Sequence, residues 1–374
     1  MTENKNPIEW RTIGETVPGA SHIRAGIPNQ DNILYVRESS RSLPIVLSVS
    51  DGHGSPKCFR SDRGSRYAVK KAAYLLSEFL DERRGKFDTT EIESKKDYLA
   101  EEFVTRWREA VEADLKAEPF TEKEFENLEK KSDALARKLV EDNPLLAYGA
   151  TSLTVAMEED FIIYLQLGDG DMLNISEISE VTKPLPEDVR LLANETTSLC
   201  LPKAEKDFRF LIQNISTDKS PQMILLSTDG YLNSFSNEAG FFQAGTDILQ
   251  MLAGAGGFDA VSDNLKAWLE EATQMGSGDD CTVGIIYRPQ LVVNSEKIQE
   301  AETEKTPKTE TPSASETAPA IAAPIASQLI SPENEEDVAV TITIEKDKNK
   351  ISKLSSVAPA ETNSPSLKLN NSSD

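Results

Sequence analysis

Residues 44–54 read PIVLSVSDGHG, a run of aliphatic and β-branched residues that ends in Asp51, Gly52 and His53. Such a run predicts a buried strand. An Asp-Gly pair after a strand is ordinarily a hairpin turn, so one interpretation is a simple reversal of the chain. The chain has only two histidines, however, and one of them directly follows this turn. The other acidic segments decide whether this position has a chemical role.

Acidic residues lie at the ends of further predicted strands. Each alone is compatible with a turn or a strand cap at the surface. If the strand ends converge, the carboxylates share one rim, where like charges repel each other and burial adds a desolvation cost. A divalent cation removes both costs, and Asp oxygens with backbone carbonyls suit Mg²⁺ or Mn²⁺ better than zinc. The segments are FIIYLQLGDGD (161–171) with Asp169 and Asp171, QMILLSTDGY (222–231) with Asp229, GSGDDCTVGIIY (276–287) with Asp279 and Asp280, and IPNQDNILYV (27–36) with Asp31.

Two cations bridged by one carboxylate would form a hydrolytic centre. Such a pair activates water near neutral pH and offsets the charge on phosphoryl oxygens. Asp51 is the candidate for the bridging carboxylate, and His53 beside it could protonate the leaving oxygen as a general acid. The sequence therefore predicts metal-assisted hydrolysis at these strand ends.

The composition argues against several other classes of protein. The 374 residues carry a formal net charge of −23, which disfavours binding to nucleic acid. Cys58, Cys200 and Cys281 are far apart and form no CxxC pair, so we expect neither a zinc site nor disulfides. No apolar run approaches the roughly 20 residues that span a bilayer, and the N-terminus has no apolar signal core. We expect a cytoplasmic protein without a membrane partner.

The character of the sequence changes near residue 290. Residues 290–374 are rich in Thr, Pro, Ala, Ser and Glu and contain no glycine or aromatic residue. Such a segment buries too little apolar surface to offset its ordering entropy. We therefore predict a globular domain over residues 1–289 and a disordered acidic tail over residues 290–374. A scaffold role that rests on the tail is one alternative to an enzyme.

The domain combines strands with long helices. In DYLAEEFVTRWREAVEADLK (97–116), apolar residues recur at every fourth position from Leu99 to Leu115, which predicts a helix with one apolar face. Asn143 and Pro144 are expected to end the helical segment. Because strands precede and follow the helices, we predict an α+β layered domain rather than an alternating parallel sheet. The strand-like runs cover residues 44–50, 161–168, 222–227 and 282–287.

As an ordered set, these segments resemble the motifs of the PPM family, the metal-dependent type 2C Ser/Thr protein phosphatases. SDGHG (50–54) matches the most specific signature of that family, and the motifs follow the family order over roughly residues 10–288. The overall pattern resembles a divergent bacterial branch of the family. The other matches are NQDN (29–32) to the first acidic motif, GDGD (168–171) to the Gly-Asp motif, STDGY (227–231) to the Ser-Asp-Gly strand end, and GDDCTV (278–283) to the final Asp-Asn-x-Thr motif.

The resemblance implies a four-layer α-β-β-α sandwich of two antiparallel sheets flanked by helices, with a metal site at one edge of the sheets. It implies two Mn²⁺ or Mg²⁺ ions bridged by Asp51, and His53 as the general acid. Asp169 would hold a metal-bound water or support a third, weaker ion. Residues 175–220 would form a flap on the substrate side. The remaining implied metal ligands are Asp229 and Asp279 for one ion, and the Gly52 carbonyl with Asp31 or Gln30 for the other.

Two departures from the family pattern affect the metal ligands. Gln30 stands where the first motif usually has a Glu, so the second ion would have a neutral amide as its ligand, or Asp31 in its place. Gly170 and Asp171 replace the Ser-Arg that usually follows the Gly-Asp motif. We expect Asp171 to be a solvated turn residue.

A third departure affects phosphate binding. Gly26 stands where the family often has an arginine that grips the phosphate. Arg24 and His22 are the nearest candidates for that role, although neither matches the position of the family arginine. A histidine in such a position is more often a surface or loop residue than a phosphate ligand, and this is the alternative for His22.

The resemblance implies a phosphatase that removes phosphate from Ser or Thr of a phosphorylated protein. A cognate Ser/Thr kinase is compatible with this activity, although no residue identifies one. The alternative is a pseudophosphatase or phosphoprotein-binding module on the same fold, which the changes at Gln30, Gly26 and Gly170 motivate.

Overall fold

Two antiparallel sheets form the centre of the molecule, a computed structural model that describes residues 10–37, 43–82, 88–188, 196–215 and 220–289. The strands are β1 (Arg11–Val17), β2 (Asn32–Arg37), β3 (Ile45–Ser50), β4 (Ser152–Met157), β5 (Phe161–Leu167), β6 (Asp171–Ile175), β7 (Val181–Thr182), β8 (Arg209–Asn214), β9 (Met223–Ser227) and β10 (Cys281–Tyr287). The first sheet has the order β1-β10-β9-β6-β7, and the second has the order β2-β3-β4-β5-β8.

Helices cover the two outer faces of this pair of sheets. The helices are α1 (Ala20–Ala25), α2 (Ser61–Asp81), α3 (Thr89–Glu93), α4 (Lys96–Ala117), α5 (Glu122–Lys131), α6 (Ala134–Asp142), α7 (Asp229–Leu232), α8 (Glu238–Ala253) and α9 (Gly257–Met275). Buried residues of α2 and α4 pack against the second sheet, and those of α8 and α9 pack against the first. The result is four layers in the order helix, sheet, sheet, helix.

β3 shows why the central strands read as continuous apolar runs. Successive side chains of a strand point to opposite faces of the sheet. Ile45, Leu47 and Val49 belong to the core between the two sheets. Val46 belongs to the core beneath α2 and α4. Because both faces of the strand are covered, its positions are either apolar or, at Ser48 and Ser50, small and hydrogen-bonded to the neighbouring strand segment.

The predicted apolar face of α4 is the face that the structure buries. Leu99, Phe103, Trp107 and Val111 are all buried, whereas Leu115 is only partly buried. The indole N–H of Trp107 donates a hydrogen bond of 2.9 Å to a backbone carbonyl of α2. A buried polar group thus has its partner, which keeps the contact between the two helices favourable.

The predicted α+β class and the four-layer sandwich are confirmed. The strand-like runs at residues 44–50, 161–168, 222–227 and 282–287 form β3, β5, β9 and β10. The helical segment ends at Asp142 as predicted, and Pro144 begins a 3₁₀ turn. The predicted tail over residues 290–374 lies outside the described residues, so the domain boundary near residue 289 stays a prediction.

The predicted flap over residues 175–220 is wrong for one part of that range. Residues Arg209–Asn214 form β8, which pairs with β5 along its whole length. The short apolar run of β8 is partly buried at the edge of the second sheet, so it belongs to the scaffold. In the part of the chain that the structure describes, no helix has both the length and the apolar character that a membrane crossing requires.

Candidate active site

One edge of the second sheet carries two of the predicted acids. Asn32 at the start of β2 pairs with Ser50 at the end of β3. Asp31 and Asp51 therefore lie next to each other at the same edge. The start of the neighbouring strand β4 fixes Asp51 in place, because the Asp51 N–H donates to the Thr151 hydroxyl at 3.0 Å and the Thr151 N–H donates to the Asp51 carbonyl at 2.8 Å.

The first sheet brings two more acids to its own edge. Ser227 at the end of β9 pairs with Val283 near the start of β10. Asp229 begins α7 directly after β9, and Asp279 lies two residues before β10. The two segments approach closely at Gly230, where an added Cβ would lie 3.2 Å from the Cβ of Asp279. Glycine at this position allows that approach.

Asp31 connects the two edges. One of its oxygens, Oδ2, accepts hydrogen bonds from the hydroxyls of Thr228, which directly follows β9, at 2.7 Å and of Thr282 in β10 at 2.8 Å. The other, Oδ1, is buried and has no hydrogen-bond partner. Burial and then the charge of Asp280 raise the pKa of Asp31 well above its usual range, although the two hydroxyls oppose this. A buried acceptor without a hydrogen-bond partner is a potential ligand for a cation.

Asp51 is the point at which the predicted acids meet. Its partial burial, followed by the charges of Asp31, Asp229, Asp169 and Asp279, raises the pKa of Asp51 well above its usual range. Burial and the charges of Asp169 and Asp279 likewise raise the pKa of Asp229 to about 7. Carboxylates influence one another in this way only at short range. The structure thus brings all five predicted acids into one group.

Gly52 lies where two loops come into contact. An added Cβ would lie 2.6 Å from the carbonyl oxygens of both Gln30 and Ser61, so a larger residue would push these loops apart. Gln30 is buried here, and its side-chain amide N–H donates to the Ser61 hydroxyl at the start of α2. That bond uses the amide nitrogen and leaves the amide oxygen for another contact. The metal-ligand role of Gln30 stays a prediction.

His53 follows this turn and is held by its backbone. Its N–H donates to the Gly149 carbonyl at 3.1 Å. An added Cβ at Gly149 would lie 2.7 Å from Cδ2 of the His53 ring, and the thiols of Cys58 and Cys200 lie close to the same point. Burial lowers the pKa of His53, and the charge of Asp169 opposes this. Nε2 of His53 is buried without a hydrogen-bond partner. The ring is therefore positioned beside the acids with one nitrogen unused.

The two candidates for phosphate binding differ in their surroundings. His22 on α1 lies against the acids that precede β10: its Nδ1 is 2.9 Å from Asp280 and its Nε2 is 3.4 Å from Asp279. Arg24 is exposed on the same helix. The sequence-based reasoning identified His22 but not its carboxylate partners. Phosphate binding by either residue stays a prediction.

The expectation that Asp171 is a solvated turn residue is wrong. Asp171 is the first residue of β6, opposite Ser227, and only 6% of its surface is exposed. The Lys183 ammonium lies 2.9 Å from one of its oxygens. Burial raises the pKa of Asp171, and the charge of Lys183 opposes this. Asp171 is thus a buried member of an ion pair behind the acidic rim.

The donor set fits divalent cations. Within the described ranges, no Lys or Arg forms an ion pair with Asp31, Asp51 or Asp229. Partly or fully buried carboxylates with raised pKa values need either protons or cations to offset their charge. Oδ1 of Asp31, which is buried without a hydrogen-bond partner, likewise requires a proton or a cation. Oxygen donors in this number suit Mg²⁺ or Mn²⁺.

Several solved structures are similar to this chain at low sequence identity. The Ser/Thr phosphatase Stp1 from Staphylococcus aureus is 13% identical, with a TM-score of 0.46 over 77% of this chain and 97% of that one. The Ser/Thr phosphatase PstP/Ppp from Mycobacterium tuberculosis is 16% identical, with a TM-score of 0.45 over 76% of this chain and all of that one. The PstP catalytic domain in complex with two manganese ions is 17% identical, with a TM-score of 0.44 over 76% of this chain and all of that one.

Family membership rests on the sequence itself. No curated protein matches the chain. The family model described as Protein phosphatase 2C matches residues 18–270, which is well over half of the 374 residues. The matched range includes His22, Asp31, Asp51 and Asp229, and it ends shortly before Asp279. The chain belongs to the protein phosphatase 2C family.

Proposed function

We propose that this protein hydrolyses phosphomonoesters on Ser or Thr of phosphorylated proteins, using water activated by two divalent cations, Mn²⁺ or Mg²⁺. The observation that supports this most directly is the group of acids from both sheets around Asp51. Burial, and then the charges of neighbouring acids in this group, raise the pKa of Asp51 and Asp229, and no described Lys or Arg is paired with either. Family membership supplies the reaction class.

The proposal assigns the cations to particular residues. Asp51, Asp229 and Asp279 would hold one ion. Asp51, the Gly52 carbonyl and either Asp31 or Gln30 would hold the other, and Asp169 would serve a third, weaker site. When bound, the ions would supply Lewis-acid activation of the attacking water and would neutralise charge on the phosphoryl oxygens.

His53 is the proposed general acid. Its backbone N–H donates to the Gly149 carbonyl, and its ring packs closely against Gly149. Burial lowers its pKa, which makes the protonated imidazole a stronger acid toward a leaving alkoxide. A phosphate dianion bound nearby would favour the protonated form before the reaction. His53 would then donate its proton to the leaving oxygen of Ser or Thr.

Partners and location belong to the same proposal. The substrate would be a phosphorylated protein, and a cognate Ser/Thr kinase would be its natural counterpart. Cys58, Cys200 and Cys281 are buried and free, which is typical of a reducing compartment such as the cytoplasm.

The test uses the wild-type chain and Asp51→Asn in parallel. We expect wild type to hydrolyse a phosphoserine peptide and p-nitrophenyl phosphate with Mn²⁺ and to lose this activity in EDTA. Asp51→Asn should lose it with the fold intact, because the bridging charge is gone while the side-chain volume is kept. Asp160→Asn, an exposed acid in the turn between β4 and β5, is the matched control and should behave like wild type. Unchanged turnover by Asp51→Asn would contradict the mechanism.

One observation favours a second candidate function on the same fold. Gln30 is neutral, and its amide nitrogen is bonded to Ser61, so the second cation would have one fewer charged ligand than in the family pattern. A pseudophosphatase or phosphoprotein-binding module would follow if the cations do not bind. Calorimetric titration with Mn²⁺ separates the two: no binding at millimolar concentration supports the binding module, and binding supports the enzyme.

A further inference from the structure

His22 lies between the two adjacent carboxylates that precede β10. Its Nδ1 is 2.9 Å from Oδ1 of Asp280, and its Nε2 is 3.4 Å from Oδ1 of Asp279. The His22 side chain is 15% exposed, that of Asp280 is 3% exposed, and that of Asp279 is 52% exposed. The cluster therefore has a closed side at Asp280 and an open side at Asp279.

The hydrogen bonds of Asp280 define which nitrogen of His22 carries the proton. The Gly19 N–H donates to Oδ1 of Asp280 at 2.6 Å, and the Gln30 N–H donates to Oδ2 at 2.7 Å. Both oxygens thus act as acceptors, as they do in an ionised carboxylate. Nδ1 of His22 must then be the donor in the contact with Oδ1 of Asp280. In the neutral imidazole the lone pair is therefore on Nε2, which faces Asp279.

In that neutral form, the Nε2 lone pair of His22 and Oδ1 of Asp279 are two electron-pair donors whose atoms lie 3.4 Å apart. Such a contact is favourable only when a proton or a metal cation is shared between the two atoms. For ligand atoms about 2.1 Å from one ion, two ligands at right angles lie about 3 Å apart. The observed separation is close to this value. Oδ1 of Asp31, a buried acceptor with no hydrogen-bond partner, is a second and independent sign that the acid group binds a cation.

We propose that His22 supplies a nitrogen ligand to the cation that Asp279 binds. Asp280 would be the positioning carboxylate that holds the His22 ring through Nδ1, as carboxylates commonly do for metal-binding histidines. The proposal rests on the metal centre of the proposed function. It adds a ligand that the acid motifs do not contain, and it gives the adjacent residues Asp279 and Asp280 two separate roles.

A nitrogen ligand changes which cation the site prefers. Mg²⁺ favours all-oxygen coordination. Mn²⁺ also prefers oxygen ligands, but it belongs to the first-row series of divalent metals, whose members bind nitrogen donors as well. Removing the His22 imidazole should therefore weaken Mn²⁺ binding more than Mg²⁺ binding. A positively charged His22 that only forms an ion pair with Asp279 would have the opposite effect, because its removal would relieve competition with the cation.

The decisive measurement is pulsed electron paramagnetic resonance of Mn²⁺ bound to the full, untagged chain. The chain has two histidines, so any imidazole nitrogen coupled to Mn²⁺ comes from His22 or His53. We expect a directly coordinated ¹⁴N signal in wild type, its loss in His22→Ala, and its retention in His53→Ala. Calorimetry should show Mn²⁺ affinity reduced at least about tenfold in His22→Ala, with a smaller change for Mg²⁺.

The outcomes separate this proposal from the proposed function. Wild type that hydrolyses phosphopeptides but shows no ¹⁴N coupling overturns the His22 assignment and leaves the phosphatase standing. A signal that survives His22→Ala also overturns it. If the ¹⁴N coupling depends on His22 but the chain shows no phosphatase activity, the His22 assignment is supported and the proposed function is contradicted. His22→Gln, with circular dichroism as a check on the fold, repeats the test if the Ala variant does not fold.

Discussion

Asp229→Asn should make the metal-free protein more stable while it removes activity. Asp229 is an acid in a group of acids, and without cations its charge opposes folding. Asn keeps the size and the hydrogen-bonding capacity of the side chain but cannot ionise. The Asn233 amide that donates to Asp229 at 3.1 Å would still find an oxygen acceptor. The substitution therefore isolates the cost of the charge.

The size of the effect follows from the pKa of Asp229. Burial and the charges of Asp169 and Asp279 raise that pKa from its ordinary 3.8 to about 7. One pKa unit corresponds to about 1.4 kcal/mol, so ionisation at pH 8 costs the folded state up to about 4 kcal/mol relative to the unfolded chain. Because the folded pKa is the higher one, the cost is absent below the unfolded pKa and grows as pH rises toward the folded value. Solvent reaches part of this side chain, which makes the figure an upper limit.

The assay is urea unfolding with a chelator present, at pH 5 and pH 8. We expect the free energy of unfolding of Asp229→Asn to exceed that of wild type by about 2–4 kcal/mol at pH 8, and by about 2–3 kcal/mol less at pH 5. Asp263→Asn, an exposed acid on α9, should show no such difference. Added Mn²⁺ should stabilise wild type more than the variant. Equal or lower stability of Asp229→Asn at pH 8 would show that the ionised Asp229 carboxylate does not destabilise the metal-free fold.

Two further predictions concern the surroundings of the site. Gly149→Ala places a Cβ 2.7 Å from the His53 ring. We therefore expect kcat to fall by up to about a hundredfold, while the Mn²⁺ affinity measured by calorimetry stays unchanged. Gly254→Ala, at a position with ordinary contacts, is the control, and equal kcat in both variants would contradict the positioning of His53. A chain that ends at residue 289 keeps every strand of both sheets and should retain the thermal midpoint and phosphopeptide turnover of the full chain; a loss of either would show that residues 290–374 contribute to the domain.

The sequence predicts the acidic rim well because its signal is local. Asp51, Asp169 and Asp229 each follow a run of strand residues directly, and Asp31 directly precedes one. When a strand is buried on both faces, an acid that directly follows it lies at the end of the sheet, where its side chain can leave the apolar core. The local pattern does not show which sheet edges lie together in the fold, because β3 and β9 belong to different sheets.

The partners of those acids depend on contacts between distant parts of the chain. His22 is 258 residues from Asp280, and Thr282 is 251 residues from Asp31. In the sequence Asp279 and Asp280 look equivalent, but the structure exposes the first and buries the second against Gly19 and Gln30.

Asp171 was predicted to be solvated for a similar reason. Its position in a Gly-rich turn is visible in the sequence, whereas the Lys183 that pairs with it in the structure is not a recognisable partner there. Burial of a charged residue depends on such partners, and these are set by tertiary packing.

The pairing of β1 with β10 has a consequence for the timing of synthesis. Arg11 lies opposite Tyr287 and Val17 lies opposite Cys281, so the first described strand can close its sheet only after the last one has been translated. Chains grow from the N-terminus and domains generally fold as units during synthesis. A nascent chain on the ribosome would therefore hold Asp51 and Asp31 without Asp279. The proposed phosphatase activity would therefore begin only once translation of the domain is finished.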